Sequence, residues 1–390
     1  MKDNNDNQYF FLMDLILLLI MFMTISFVSI YNAQQIEQYG ENFVLKQAFW
    51  FSLGIIIIVL VQFLDMESLY ISSFFCYLGG IALLFILIIS PETIAPEINN
   101  THSWFRFGGI TLQPSELVKI TTIMYLASTI AKSRDKLEKN TREHYKLFLK
   151  LLIIGLLPVL LIILQPDFGT SMVFLVITGG MIFLSGINWK IIFTVILLII
   201  TFFCTAGLMF VKFPDLTQSL FHLAPYQMDR IETWLNFSDD SSNQDYHFKR
   251  SILAIGSGQL TGKGLSNSEV YIPEAQTDFI FSIIGESFGF LGCSIVVVLY
   301  FLLIYKLVTI SLQSYEDNTF GCFLCIGYLF LIFIHTFQNI GMTIGIMPIT
   351  GIPLLLISYG GSSILASMTG FALIYKVNSE LIRNKKLFFK

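Results

Sequence analysis

The feature that most constrains this chain is the recurrence of apolar runs long enough to cross a lipid bilayer. A transmembrane helix needs about 20 mainly apolar residues to cross roughly 30 Å of hydrocarbon. Such runs lie at residues 9–30, 47–64, 69–89, 116–130, 147–164, 168–185, 191–211, 278–307, 320–344 and 352–377. Backbone polar groups in lipid must be satisfied within the chain, which favours helices. The sequence therefore predicts an all-α, polytopic membrane protein with about ten spans.

Composition supports lipid as the solvent for most of the chain. Hydrophobic residues make up 55% of it and charged residues 13%, roughly half the charged fraction of a soluble domain. The net charge of −4 provides no basic field for nucleic acid, so no nucleic-acid partner is expected. The start of the chain lacks a basic segment and a cleavage site, so the first run is predicted as a retained span. Residues 1–390 are predicted to form a single integral membrane domain.

Lysine and arginine in the short connections predict the orientation. They cluster at residues 132–146, after the fourth run, and at 376–390 in the tail. Such clusters favour the cytoplasmic side, and an even number of runs separates them, so both termini are predicted to be cytoplasmic. Residues 132–150 fit a plain cytoplasmic anchor, with anionic headgroups or cytoplasmic shape proteins as alternative contacts.

Two polar segments then fall outside the membrane, at residues 90–113 and at about 212–277, between the seventh and eighth runs. Loops without their own structure rarely exceed about 15 residues, and long ones are often functional. The sequence predicts that the chemistry takes place at the outer face.

Four polar stretches interrupt the apolar runs, and the first lies at residues 104–119. Pro114 is typical of a helix start, and Ser115 with Glu116 could form an N-terminal cap. Glu116 and Lys119 are one turn apart and could pair on one helix face. A capped helix with an internal ion pair and a functional site are both compatible with this pattern.

The second and third stretches place acids at helix boundaries. Asp167 lies in a break between two runs, where it could cap the next helix or line a cavity. Asp278 lies where the long outer loop becomes an apolar helix, and it could cap that helix or act as a general base. Glu286 is about two turns deeper, roughly 12 Å along the axis. An acid at that depth needs a partner or a cavity.

The fourth stretch, residues 339–363, is rich in glycine and proline between two apolar runs. It predicts a broken or re-entrant segment, which survives at membrane depth only when buried in protein or lining a cavity. Tight helix packing through small residues is the other explanation, and both are expected to apply.

These stretches, in this order, resemble the SEDS family (shape, elongation, division and sporulation) over nearly the whole chain. The motifs are Gln-Pro-Ser-Glu at 113–116, Gln-Pro-Asp-Phe-Gly-Thr at 165–170, Thr-Asp-Phe-Ile-Phe at 277–281, and Gly-Ile-Pro at 351–353 with Ser-Tyr-Gly-Gly-Ser at 358–362. The resemblance implies a peptidoglycan glycosyltransferase of the bacterial cell membrane that polymerises lipid II beside a class B penicillin-binding protein, a transpeptidase. It also implies that Asp278 is the essential catalytic residue.

The predicted site has Asp278 as general base, with undecaprenyl pyrophosphate as the leaving group. Arg106, Lys119, Arg230 and Lys263 are the alternatives for neutralising the pyrophosphate. No ligand cluster demands a metal, and a bridging Mg²⁺ or Mn²⁺ stays open as a cofactor. The substrate-binding or structural residues are predicted to be Trp104, Arg106, Gln113, Pro114, Ser115, Glu116, Lys119, Asp167, Arg230, Lys263, Thr277, Glu286, Ser358, Gly360, Gly361 and Ser362.

Within the family, residues 103–106 and 339–342 favour the elongation branch (RodA), while residues 165–169 lean towards the division branch (FtsW). The chain departs from the family pattern at Gln276, Arg250 and Gln259, where His, Gln and Gly are usual. Partners from the elongation or division complex are expected. The alternatives to a polymerase are a flippase for the same lipid-linked precursor, since acids and broken helices also suit transporters, and a non-catalytic scaffold.

Overall fold

The chain folds into a helical assembly with one small β-hairpin. The computed structural model describes residues 3–36, 42–98, 101–108, 110–137, 141–212, 243–267 and 269–388. The helices are α1 Asp3–Ile36, α2 Phe43–Gln62, α3 Met66–Ile89, α4 Pro114–Leu137, α5 Thr141–Ile163, α6 Phe168–Leu184, α7 Trp189–Lys212, α8 Asn243–Ser257, α9 Ile280–Ser314, α10 Thr319–Thr343 and α11 Gly361–Phe388. Strands β1 Phe105–Phe107 and β2 Ile110–Leu112 pair antiparallel.

The helical, multi-pass architecture predicted from the apolar runs is confirmed. Every predicted run overlaps one helix, from α1 to α7 and from α9 to α11. By length and composition, 6 helices within the described part of the chain can cross a membrane: Met13–Gln35 within α1, Phe43–Gln62, Met66–Ile89, Thr141–Ile163, Ile280–Ser314 and Thr319–Thr343. The count of ten spans stays a prediction.

The predicted start of the last run, residues 352–377, is wrong. Helix α11 begins at Gly361, and residues 345–360 are not helical. Pro348 and Pro353 lack the amide that a helix interior requires, and they disfavour helical backbone in the residue before them. Gly351 has a φ of +69°, which also ends helical geometry. The apolar residues at 352–357 therefore belong to a buried irregular segment.

The two long polar segments, residues 90–113 and about 212–277, contain more regular structure than the sequence predicted. The β1–β2 hairpin lies within residues 90–113, so the all-α prediction needs this small addition. Within the long loop, residues 243–257 form helix α8. Residues 213–242, which include Arg230, lie outside the described part of the chain.

Helix α10 occupies the middle of the assembly. It packs against α4, α6, α9 and α11, and α2 packs against α11 at the side. Helices α2 and α3 expose apolar side chains such as Ile56, Phe75 and Phe85. An apolar exterior suits lipid as the surrounding solvent, and the buried polar groups of α4 and α10 lie inside the assembly among apolar side chains.

Helix α9 is kinked at Gly289, where φ is +61° and ψ is −158°. The kink frees backbone amides that the loop after α8 then satisfies. Phe290 N donates to Gln259 O at 2.9 Å and Leu291 N donates to Leu260 O at 3.2 Å. A Cβ atom at position 258 would lie 1.9 Å from the Gly285 carbonyl oxygen. Only glycine permits this approach, so the loop and the kink form one packed unit.

Replacing Gly258 with alanine is expected to loosen this unit. Overpacking of this kind costs about 1–3 kcal/mol or more, so Gly258→Ala should lower the apparent unfolding temperature in detergent. The matched control is Gly256→Ala, because position 256 has open space around it and alanine is the better helix former. Equal unfolding temperatures for the two variants would contradict the close packing.

Candidate functional site

The backbone around Asp278 is held in place by side chains from α10 and from the irregular segment. Asn339 Nδ2 donates to Asp278 O and to Ile352 O, both at 2.8 Å. Ser358 Oγ donates to Thr277 O at 2.6 Å and accepts from Leu354 N at 2.9 Å. These bonds join the end of the long polar loop before α9 to the irregular segment before α11.

The carboxyl group of Asp278 is half-buried and lies beside the bare backbone of Gly351. A Cβ atom at position 351 would lie 3.4 Å from Asp278 Oδ2. Burial raises the pKa of Asp278 to about 7, and the negative charge of Glu274 adds to the rise. Asp278 does not cap α9, since the cap residue is Phe279 and no side chain caps there. A carboxyl group that titrates near neutral pH is suited to proton transfer.

Gln113 connects the Gln-Pro-Ser-Glu motif to two other motifs. Its backbone amide donates to Ser362 Oγ at 2.9 Å, and its Nε2 donates to Asp167 Oδ2 at 3.1 Å. Asp167 also caps α6, because its Oδ1 accepts from Thr170 N at 3.0 Å and its Oδ2 from Thr170 Oγ1 at 2.8 Å. The predicted capping role of Asp167 is confirmed.

The start of α6 also contacts the segment that flanks Asp278. A Cβ atom at Gly169 would lie 2.7 Å from Thr350 O, and Gly351 beside it lies against the Asp278 carboxylate. The start of α6 and the residues at Asp278 are distant in sequence, and the structure brings both of them against residues 350–352.

A buried polar chain runs beneath this segment. Lys119 Nζ lies 2.8 Å from Glu116 Oε1 and 3.0 Å from His335 Nε2, and His335 Nδ1 lies 2.9 Å from Pro353 O. All three side chains are nearly inaccessible. An ammonium group can only donate, so Nε2 accepts and the ring proton lies on Nδ1, which donates to Pro353 O. The predicted Glu116–Lys119 pair is confirmed.

Sequence reasoning missed His335, although an ionisable residue inside an apolar run was the signal that could have found it. It also left Gln338 unassigned, whose Nε2 donates to Pro348 O at 3.0 Å. Both residues bind carbonyls of the irregular segment rather than each other.

Glu286 has the partner that its depth requires. Its side chain is fully buried, and its Oε1 lies 2.8 Å from Lys263 Nζ. The same oxygen accepts from Glu269 N at 2.9 Å and from Val270 N at 3.2 Å. The hydrogen bond to Glu286 raises the pKa of Lys263. Glu286 and Lys263 therefore fasten the long polar loop to α9.

The remaining predicted residues take varied positions around this centre. Arg106 is exposed on β1, and Trp104 just before it is half-buried. Thr277 Oγ1 donates to Glu274 O at 3.1 Å, and Ser115 is buried in the first turn of α4. Pro114 is the first residue of that helix, and Gly360 and Gly361 lie at the start of α11. Among the described residues, no three His, Cys, Asp or Glu side chains are grouped to hold a metal ion.

A family model and individual relatives match this chain over most of its length. The FtsW/RodA/SpoVE family model, described as "Cell cycle protein", matches residues 6–382. The chain is 34% identical over 307 residues to the probable peptidoglycan glycosyltransferase FtsW of Wigglesworthia glossinidia brevipalpis, covering 77% of this chain and 75% of the relative. It is 30% identical over 399 residues to the peptidoglycan glycosyltransferase RodA of Treponema pallidum, covering 86% and 89%.

Among solved structures, the chain resembles one chain of a peptidoglycan synthase complex described for its coordination of polymerization and crosslinking. The TM-score is 0.75 at 25% identity, covering 94% of this chain and 97% of the other. Relatives named FtsW and RodA both match, so the comparisons do not separate the division branch from the elongation branch.

Breaking the buried ion pair from one side is expected to destabilise the protein strongly. Lys119→Met leaves the Glu116 carboxylate buried without its cation, which costs about 3–5 kcal/mol. The double variant Glu116→Gln with Lys119→Met removes both charges and should recover most of the lost unfolding temperature.

The exposed pair Glu143 and Lys146 has the same spacing, at 2.6 Å, and serves as the control. Lys146→Met should change the unfolding temperature little, because surface pairs contribute little. If Lys119→Met behaved like Lys146→Met, the buried pair would not carry the energy assigned to it.

Proposed function

Because the chain belongs to the FtsW/RodA/SpoVE family, we propose that it is a peptidoglycan glycosyltransferase that polymerises lipid II into glycan strands. The observation that carries this proposal is Asp278, a half-buried acid whose pKa is about 7. It lies at the end of a polar loop, immediately before a long apolar helix. The relatives named peptidoglycan glycosyltransferase support the same activity.

The proposed topology has ten spans in the bacterial cell membrane, formed by α1–α7 and α9–α11 in one domain. Both termini are cytoplasmic, and residues 90–113 and about 212–277 face outside, so the active site faces outside. The basic residues between α4 and α5 and in the tail support this orientation. Arg134 and Lys136 lie in the last turn of α4, at the opposite end of this 24-residue helix from Pro114.

In the proposed reaction, Asp278 removes the proton from the 4-hydroxyl of the acceptor N-acetylglucosamine. That oxygen attacks the anomeric carbon of the donor N-acetylmuramic acid, and undecaprenyl pyrophosphate leaves. The near-neutral pKa supports the role, because a base works best when its pKa is close to the working pH. The absence of a side chain at Gly351 leaves the carboxylate unobstructed on that side.

Among the four proposed partners of the pyrophosphate, the surroundings favour Arg106. Lys119 and Lys263 are each already paired with a buried carboxylate, and Arg230 lies outside the described residues. Arg106 is exposed on the outer hairpin, where a guanidinium could bind phosphate oxygens. A Mg²⁺ or Mn²⁺ ion would depend on pyrophosphate oxygens for ligands, because the described acids supply no complete set.

The elongation branch remains the proposed one, on residues 103–106 and 339–342, with the division branch as the alternative. A class B penicillin-binding protein is the proposed partner, together with other proteins of the elongation complex. The resemblance to one chain of a peptidoglycan synthase complex supports such an assembly.

The decisive test is glycan-strand formation from purified lipid II, with the full-length protein, its penicillin-binding partner and the transpeptidase blocked. Asp278→Asn preserves the shape of the side chain and removes its basicity, so the rate should fall by about 10²–10⁴-fold. Asp317→Asn, in the exposed turn between α9 and α10, is the matched control and should keep full activity.

Equal activity in the two variants would remove Asp278 as the base. An inactive wild type with every partner tried would favour the flippase or the scaffold instead. Size-exclusion profiles and unfolding temperatures check that both variants are folded.

The pH profile gives a second, independent test of the base. Since Asp278 must be ionised to accept a proton, the rate should rise about tenfold between pH 6 and pH 8. Glu274 disfavours the ionised form of Asp278 by charge repulsion, so Glu274→Gln should lower the pKa and move the midpoint to lower pH. Glu92→Gln removes the same charge from an exposed outer position and should leave the midpoint unchanged. If Glu274→Gln left the midpoint of the pH profile unchanged, that result would contradict the assignment of Asp278 as the base.

A further inference from the structure

A polar cavity lies towards the opposite end of α4 from Asp278. It is enclosed by the first turns of α3, the last turns of α4 and the start of α5, and its volume is about 260 Å³. Ser128, on its wall, lies roughly 21 Å along α4 from Pro114 at 1.5 Å per residue. The cavity is therefore separate from the proposed catalytic site. Its polar lining includes Tyr70, Ser73, Tyr125, Ser128, Lys132 and Lys150.

Hydroxyl groups form the inner wall of this cavity. Ser73 Oγ donates to Ser128 Oγ at 2.9 Å, and both residues are buried. The hydrogen atoms of both hydroxyls are already donated within the bundle, to each other or to carbonyls one turn earlier, so the pair makes this wall polar without supplying donors to the cavity. Thr129 and Ser133 extend the polar wall towards the end of α4.

Two lysines form the rim of the cavity and give it its charge. Lys132 and Lys150 are both exposed, and neither has an ion pair among the described residues. Their neighbour Lys146, by contrast, lies 2.6 Å from Glu143. The ammonium groups of Lys132 and Lys150 at the rim match the oxygens of a phosphate group, which accept charge-assisted hydrogen bonds.

The volume of the cavity and its surroundings indicate which kind of molecule the phosphate group belongs to. At about 260 Å³ the cavity is slightly below the usual range of about 300–1,000 Å³ for small-molecule sites, which suits a headgroup rather than a whole lipid. Phe74 lines the cavity and is also 44% exposed on the outer surface of α3. An acyl chain could therefore follow the apolar face of α3 while the headgroup stays inside.

We propose that this cavity binds the phosphate-bearing headgroup of an anionic phospholipid. The assignment to the cytoplasmic leaflet rests on the proposed orientation of the chain, while the site itself does not depend on the glycosyltransferase activity. Lysines near a membrane surface contribute favourably to binding anionic lipid, and the cavity adds the selectivity that a flat basic surface lacks.

The test measures lipid retained by the full-length protein in detergent, by native mass spectrometry. The probes are dioleoyl-phosphatidylglycerol, dioleoyl-phosphatidylcholine and glycerol 1-phosphate. Phosphatidylglycerol should bind selectively, and Lys132→Gln with Lys150→Gln should weaken its binding about 30-fold, from the combined contributions of two lysines. The control pair Lys136→Gln with Lys146→Gln removes the same charge from the same segment, but neither residue lines the cavity, so binding should change much less than in the Lys132 and Lys150 variant.

A second variant tests the cavity without changing charge. Ser133→Leu places an apolar side chain in the polar wall, where the native hydroxyl bonds only back to Thr129 O, and should also reduce phosphatidylglycerol binding. Equal losses in both lysine pairs would mean diffuse surface attraction and overturn the proposal. Glycerol 1-phosphate binding as tightly as the lipid would replace it with a soluble-phosphate site. Equal retention of phosphatidylcholine would also overturn it.

Discussion

The structure depends on satisfying the backbone of one irregular segment in the middle of a membrane protein. Residues 345–360 form no continuous helical ladder, only turn hydrogen bonds such as Ser358 N to Leu354 O at 2.8 Å, and an unsatisfied carbonyl in an apolar interior is costly. Side chains from four other helices supply donors instead. The donors and the carbonyls that accept from them are Ser26 to Ile357, Gln47 to Ser358, Tyr300 to Leu355, His335 to Pro353, Gln338 to Pro348 and Asn339 to Ile352.

This requirement explains why polar residues lie in otherwise apolar helices. Gln47 in α2 and Asn339 in α10 are buried, and each binds the irregular segment or its neighbour. The segment in turn holds Asp278, because Asn339 and Ser358 bind the backbone at residues 277–278. Asn339 therefore both satisfies a carbonyl of the segment and positions the backbone of the proposed base.

Local patterns predicted the parts of this arrangement that depend on near neighbours. The helix positions, the Asp167 cap and the Glu116–Lys119 pair follow from spacings of a few residues. The donors to the irregular segment could not be predicted in this way, since Ser26 and Ile357 are 331 residues apart in sequence. The start of α11 was misplaced because residues 352–357 are as apolar as a helix, and only the prolines and Gly351 indicated otherwise.

The distribution of charges then separates Asp278 from the other acids. Glu116 is paired with Lys119, Glu286 with Lys263, and Asp14 with Lys306. Among the described residues, no cation pairs with the carboxylate of Asp278, and the charge that most affects it is that of Glu274, which is also negative. A cation in contact would lower the pKa of Asp278 and make it a weaker base. In the proposed reaction, the groups that neutralise the departing pyrophosphate would therefore lie away from Asp278, and Arg106 on the β1–β2 hairpin meets that condition because it forms no ion pair with that carboxylate.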